Sequence, residues 1–248
     1  MENILEKIRR KDIQDIFECL SQAANEDRQE ADNYLKLRTD VSGPFLVWDL
    51  TYRNLMNRFD EDDVIKHAIA NRGMWKVLLL YDKRSKLLFS FMKDSRFREI
   101  RNKKNGSRPQ YVQALISLNA ELQAPAKQMS LFPDESKYTQ TELAKTLEEL
   151  CANFEGIVDT KNSKHVMVVY SSKYGSIDSL KAYLLDRDLD VVCEQDWLDS
   201  VKPIMSSNPE TVSPMETGNV LALKPKALNR IREKKLVEIK EQEARKEG

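Results

Sequence analysis

The sequence predicts an α+β fold: a helical N-terminal part with an antiparallel hairpin, a smaller C-terminal α/β part, and a charged C-terminal helix. Two observations carry this. Apolar residues recur at three- and four-residue intervals in several stretches, the period of an amphipathic helix. Between those stretches stand short β-branched and aromatic runs bounded by polar letters, which mark strands. With 248 residues, 41% of them apolar, the chain has enough material for a packed core.

From Ile4 to Leu20, the residues Ile4, Leu5, Ile8, Ile13, Ile16, Phe17 and Leu20 trace one helical stripe,. A polar connection follows. Between Phe45 and Phe59, Trp48, Tyr52, Leu55 and Met56 keep helical spacing. The acids DEDD at 60–63 then predict an N-cap and first turn for a helix through Val64, Ile65, Ala68 and Ile69, stopped at Gly73,. The run WKVLLLYDKRSKLLFSFM reads as two strands joined by a polar turn at Lys83–Lys86,. Residues 111–120, YVQALISLNA, alternate as a third strand, while Tyr111, Leu115 and Leu118 also fit a helix,.

The organisation expected is a domain at 1–122, an exposed linker at 123–137 marked by Pro125 and Pro133, an α/β part at 138–203, and a flexible connection with a charged helix at 204–248,. In the second half, a Thr139 or Thr141 cap opens a helix through Leu143, Leu147, Leu150, Cys151 and Phe154, ending at Gly156,. HVMVVYSS at 165–172 reads as a strand, SIDSLKAYLLD at 176–186 as a helix capped by Ser176, and DVVCE at 190–194 as a strand, together a β-α-β unit,. At the end, Leu228, Ile231, Leu236 and Ile239 lie among dense alternating charges, which suits a solvated helix,.

Forty basic and forty acidic residues cancel, so no global field draws the chain to nucleic acid or acidic membranes. The charged start MENILEKIRRKD lacks a signal peptide's apolar stretch, and no run is long enough to span a membrane,. A soluble cytoplasmic protein is expected. Cys19, Cys151 and Cys193 are odd in number and far apart, which argues against a disulfide framework or a thiolate zinc site.

Enzymatic signatures are sparse. Phosphate-cradling loops need clustered glycines, and the seven glycines here are scattered, so neither a P-loop nor a dinucleotide cofactor is expected. His67, placed on a polar-faced helix, and His165, opening an apolar strand, are the two imidazoles available for Cys-His or Ser-His chemistry,. Asp186, Asp188 and Asp190 alternate as cation ligands would, yet the following letters lack the Gly and Glu of an EF-hand, and a turn explains them as well,. No metal is assigned. Asp159-Thr-Lys161 resembles the acid-x-Lys pair of metal-dependent nucleases, an alternative function that lacks a placeable partner acid,.

The basic stretch at 93–108 is more informative. Lys93, Arg96, Arg98, Arg101, Lys103, Lys104 and Arg108 stand against only Asp94 and Glu99. On a short helix and the Asn105-Gly106 loop these cations are expected to pair with the phosphates of DNA or RNA; an acidic protein partner would use the same surface.

The linker holds QMSLF, in which Gln128, Met129, Leu131 and Phe132 sit between two prolines. This stretch resembles the peptide by which many bacterial proteins dock on the DNA polymerase sliding clamp. The resemblance implies Gln128 as polar anchor at the rim of the clamp groove, Leu131 and Phe132 as apolar plugs, and Met129 as a supporting contact. The same side chains can instead clip the linker onto the protein's own surface. WKVLLLYDKRSKLLFSFMKDSRF resembles an uncharacterised family of bacterial proteins, some encoded beside helix-turn-helix regulators that carry a metallopeptidase-like domain. That implies a toxin-antitoxin or phage-defence component with a cognate antitoxin or regulator as partner. The leading expectation is a binding or effector protein that engages the clamp and nucleic acid; the alternatives are a nuclease and a protein–protein interaction module.

Overall fold

The structure, a computed structural model, describes residues 4–36, 39, 42–72, 75–103, 108–124 and 137–202. The α+β expectation holds: helices cover both faces of a six-stranded mixed sheet.

The first helical stripe is interrupted. Ile4–Lys7 is a single 3-10 turn, and helix α1 runs Arg10–Ala24 from an extended Arg9. Arg9 resets the chain because its guanidinium donates to both Asp12 oxygens at 2.8 Å, fixing the new first turn. The polar connection expected after Leu20 is a second helix, α2, Glu26–Leu35. It has no apolar stripe; Asp27 is its buried residue, held by Asn54 at 2.6 Å and Arg53 at 2.9 Å. Helix α3, Gly43–Phe59, starts with Pro44 in its first turn and packs on α1,.

DEDD does not start a helix. The Asp62 carboxylate accepts the amides of Val64 and Ile65 at 2.7 and 2.8 Å, and this Asx-type turn feeds strand β1, Ile65–Arg72,. Strands β2, Trp75–Asp82, and β3, Leu87–Lys93, form the antiparallel hairpin expected there. After β3 come α4, Asp94–Arg101, and α5, Gln110–Ile116. The segment at 111–120 is therefore helical, its Val112, Leu115 and Ile116 packed on the sheet at helical spacing. Helix α6, Gln140–Cys151, opens on a capping box in which the Thr139 hydroxyl accepts from the Glu142 amide and the Glu142 carboxylate accepts from the Thr139 amide,.

The C-terminal strands correct the β-α-β expectation. Strand β4, Lys164–Lys173, turns through Tyr174 and Gly175, both at positive φ (51° and 82°), into strand β5, Ser176–Leu185. Two consecutive positive-φ residues make the two-residue hairpin turn that suits the sheet's twist. Thus 176–186 is a strand, with Leu180, Ala182 and Leu184 on one face by period-two alternation,. Strand β6, Val191–Asp196, completes an antiparallel meander.

The strand order is β1-β2-β3-β4-β5-β6, antiparallel at every step except β3–β4, where Leu87 to Lys93 run parallel to Lys164 to Tyr170. One sheet thus spans the segments on either side of 123–137. On one face α1 and α3 cover Leu78, Leu80, Phe89, Val166 and Val168. On the other, α4, α5 and α6 cover Leu79, Tyr81, Leu88, Met167 and Val169. The Gly73 stop, the QMSLF stretch, the 204–219 connection and the charged C-terminal helix lie outside the described residues.

Candidate functional site

Strands β2 and β3 pair only from Leu79–Ser90 to Asp82–Leu87. Beyond that point β2 stays with β1 as far as Trp75, and β3 stays with β4 as far as Lys93. The two strands therefore part inside the sheet, and a groove of about 690 Å³ opens between them. Helix α3 supplies Phe45, Trp48, Asp49 and Tyr52 to its lining. The parted strands add Trp75, Lys76, Val77, Ser90, Phe91 and Met92; Arg96 of α4 and Tyr111 of α5 complete the rim. Half the lining is aromatic in a chain that is 8% aromatic, far more than a randomly placed cleft would collect.

The rings are held by one another and by the parted backbone. Phe45 and Trp75 stack at 5.4 Å with an interplanar angle of 19°, yet each remains about half exposed, at 53% and 52%. Trp48 meets Tyr52 and Tyr170 edge-on, at 5.6 and 5.8 Å. The Tyr52 hydroxyl donates to the Lys76 carbonyl at 3.5 Å, taking one acceptor left by the missing β2–β3 ladder. Burial pushes its pKa up to about 12 against the opposing hydrogen bond from the Leu78 backbone.

Helix α4 stands at the rim. Phe97 and Ile100 anchor it, Phe97 stacking on Tyr183 at 5.1 Å, so its charged residues face outward. Arg98 and Arg101 are exposed; Arg98 pairs with Asp94 at 2.8 Å. Arg96 and Lys103 both pair with Glu99, and these two cations pull its carboxyl down to about 2. Lys93 is half-buried, and desolvation lowers its pKa. Arg108 lies apart from this row: it is 8% exposed and its Nε donates to the Lys103 carbonyl at 3.2 Å. Lys104 and the clamp-like Gln128, Met129, Leu131 and Phe132 fall outside the described residues. The structure thus places Arg96, Arg98 and Arg101 on one short helix beside an aromatic groove, with Lys93 at the end of β3 just before it and Lys103 just past its end.

Other sequence candidates have different surroundings. Asp159 pairs with Lys86 at 3.2 Å and accepts from Asn162 at 2.7 Å, contacts that lower its pKa. Asp186 organises a turn, accepting the Asp188 and Asp190 amides at 2.9 and 3.0 Å. Among the described residues no three His, Cys, Asp or Glu side chains are placed to hold a metal ion. His67 lies on strand β1 rather than on a helix, 3.4 Å from Asp60. His165 is fully buried, 2.8 Å from the Ser90 hydroxyl through Nε2, and burial pulls its pKa down to about 3. Its Nδ1 faces no hydrogen-bond partner among the described residues, so the pair lacks the acid that orients a catalytic imidazole.

Residues 5–239 match the model of a family described as of unknown function, DUF5986. The chain belongs to the DUF5986 family. The match spans the sheet and the helices on both its faces, and it agrees with the resemblance of the hairpin segment to an uncharacterised family. No curated protein and no solved structure matches this DUF5986 chain. No helix among its described residues is long and apolar enough to cross a membrane.

Sequence reasoning found the basic helix of this DUF5986 member but missed Trp48, Tyr52, Trp75 and Tyr111 as a group. Each fits a core position in its own element, and only the parting of β2 from β3 brings the four together.

Proposed function

We propose that this protein is a cytoplasmic binding or effector protein of bacterial type that grips nucleic acid through α4 and tethers itself to the DNA polymerase sliding clamp through Gln128, Met129, Leu131 and Phe132. A toxin-antitoxin or phage-defence setting, with a cognate antitoxin or regulator as partner, suits such a protein. The observation that supports the nucleic-acid part is the placement of Arg96, Arg98 and Arg101 on one anchored helix whose Arg96 lines an aromatic groove, with Lys103 just past the helix end. Cations held on a rigid element meet phosphates with little ordering cost, and the released counterions drive binding. The tether rests on the QMSLF resemblance alone.

Two measurements test this. Affinity for labelled DNA across a salt series should fall steeply as salt rises, and Arg98→Glu with Arg101→Glu should weaken it; a flat salt response would remove the nucleic-acid part and leave an acidic protein as the partner of α4. Isothermal titration against purified clamp should give heat that Leu131→Ala with Phe132→Ala abolishes. No heat from the native protein would remove the tether.

A further inference from the structure

We propose that the groove where β2 and β3 part is a seat for the unpaired bases of single-stranded DNA. This deepens the nucleic-acid reading of α4 and rests on it. Single-strand sites combine a cationic track for the backbone with aromatic faces on which bases stack. Both are present here at one place: Arg96, which also pairs with Glu99, lines the groove, and Arg98 and Arg101 stand exposed on the same helix. Phosphates running along α4 would put their bases within reach of the Phe45–Trp75 pair, whose rings are stacked on each other and still half exposed.

One charged group of the groove fits a base better than a phosphate. Asp49 is exposed on its lining; its carboxylate repels a phosphate but accepts from the amino and imino N–H groups on base edges. A duplex turns those edges inward and stacks its bases on each other, so it can use α4 but not the groove. The groove also carries Lys76 and Ser90, so its walls alone do not choose between ribose and deoxyribose; the proposed tether to a clamp that rides on DNA is what favours DNA over RNA.

The full chain is titrated with oligo(dT), with oligo(U) of the same length, and with a duplex, reading anisotropy and tryptophan emission together. Trp48 and Trp75 line the groove while Trp197 is fully buried, so a base stacking in the groove quenches the first two. The expected result is quenching by oligo(dT), reduced in Trp75→Phe. Phe45→Ala and Trp75→Ala each weaken oligo(dT) about tenfold, in line with the loss of one stacking face, with duplex affinity unchanged. Both side chains sit at the mouth of the groove, and an unchanged melting temperature shows that the truncations leave the fold intact. Native-like oligo(dT) binding in both variants, or binding without quenching, overturns the base seat while leaving the phosphate role of α4 standing. Tighter binding of oligo(U) overturns the DNA assignment, and failure of the native chain to bind any nucleic acid removes both readings.

Discussion

The Asn119 side chain closes both backbone hydrogen-bonding groups of His165. Its Oδ1 accepts from the His165 amide at 2.9 Å, and its Nδ2 donates to the carbonyls of His165 and Leu185, each at 2.9 Å. Asn119 is fully buried and sits where the β4–β5 ladder ends, so a side chain takes the place of one more rung. Asn119→Ala leaves three buried backbone groups without partners. The expected loss is about 2–4 kcal/mol, read as a lower urea midpoint with unchanged slope.

His165 makes stability depend on pH. Its imidazole takes a proton near 6.5 in the unfolded chain but resists until about 3 in the fold, because burial excludes the charge. Below about pH 6.5 the unfolded state therefore binds the extra proton. Stability falls by roughly 1.4 kcal/mol for each pH unit of descent until the native value is reached. Denaturation midpoints between pH 6.5 and 5, above most carboxylate titrations, should show a slope that steepens toward this value as pH falls, and His165→Gln should flatten it.

The β2–β3 turn hangs on Asp82, which is 1% exposed. Its Oδ1 accepts the Arg84 and Ser85 amides at 2.9 and 3.3 Å, and its Oδ2 takes the Ser85 hydroxyl and the Arg84 guanidinium at 2.8 and 2.7 Å. Arg84 also reaches Asp12 on α1 at 3.3 Å. Asp82→Ala should cost about 1–3 kcal/mol, since it removes four hydrogen bonds, one of them an ion pair, from a buried carboxylate to a half-exposed turn. A double-mutant cycle with Asp12→Ala should show non-additive losses because Arg84 links the two acids.

Charge reversal on α4 should act on salt dependence rather than on stability. Arg98→Glu and Arg101→Glu change exposed side chains, so thermal unfolding should shift little. The slope of log affinity for DNA against log salt should shrink by about 1 for each phosphate that the variant no longer neutralises.

Local signals decided what was legible in the sequence. The hairpin at 75–92, the capped helix at 140–151 and the basic row were readable because each rests on adjacent letters. The acids at 60–63 misled because the Asp62 carboxylate that would cap a helix caps a turn into a strand equally well. SIDSLKAYLLD misled because Ile177, Leu180, Tyr183 and Leu184 fit a helical stripe; the better signal was the Tyr174-Gly175 pair ahead of it, a two-residue turn between runs of β-formers. The groove was not legible at all. It arises where two strands separate, and no letter marks the end of a ladder.

The one parallel ladder among the described strands also orders events in time. Strands β1 to β3 and β4 to β6 are each built from neighbours in sequence, whereas Leu87 meets Lys164 only after the whole crossover has been made. High contact order concentrates at this seam, so its closure should limit the folding rate. A nascent chain still lacking β4 holds β3 as a bare apolar edge, Leu87 through Met92, and during synthesis that edge is the surface a chaperone would need to shield.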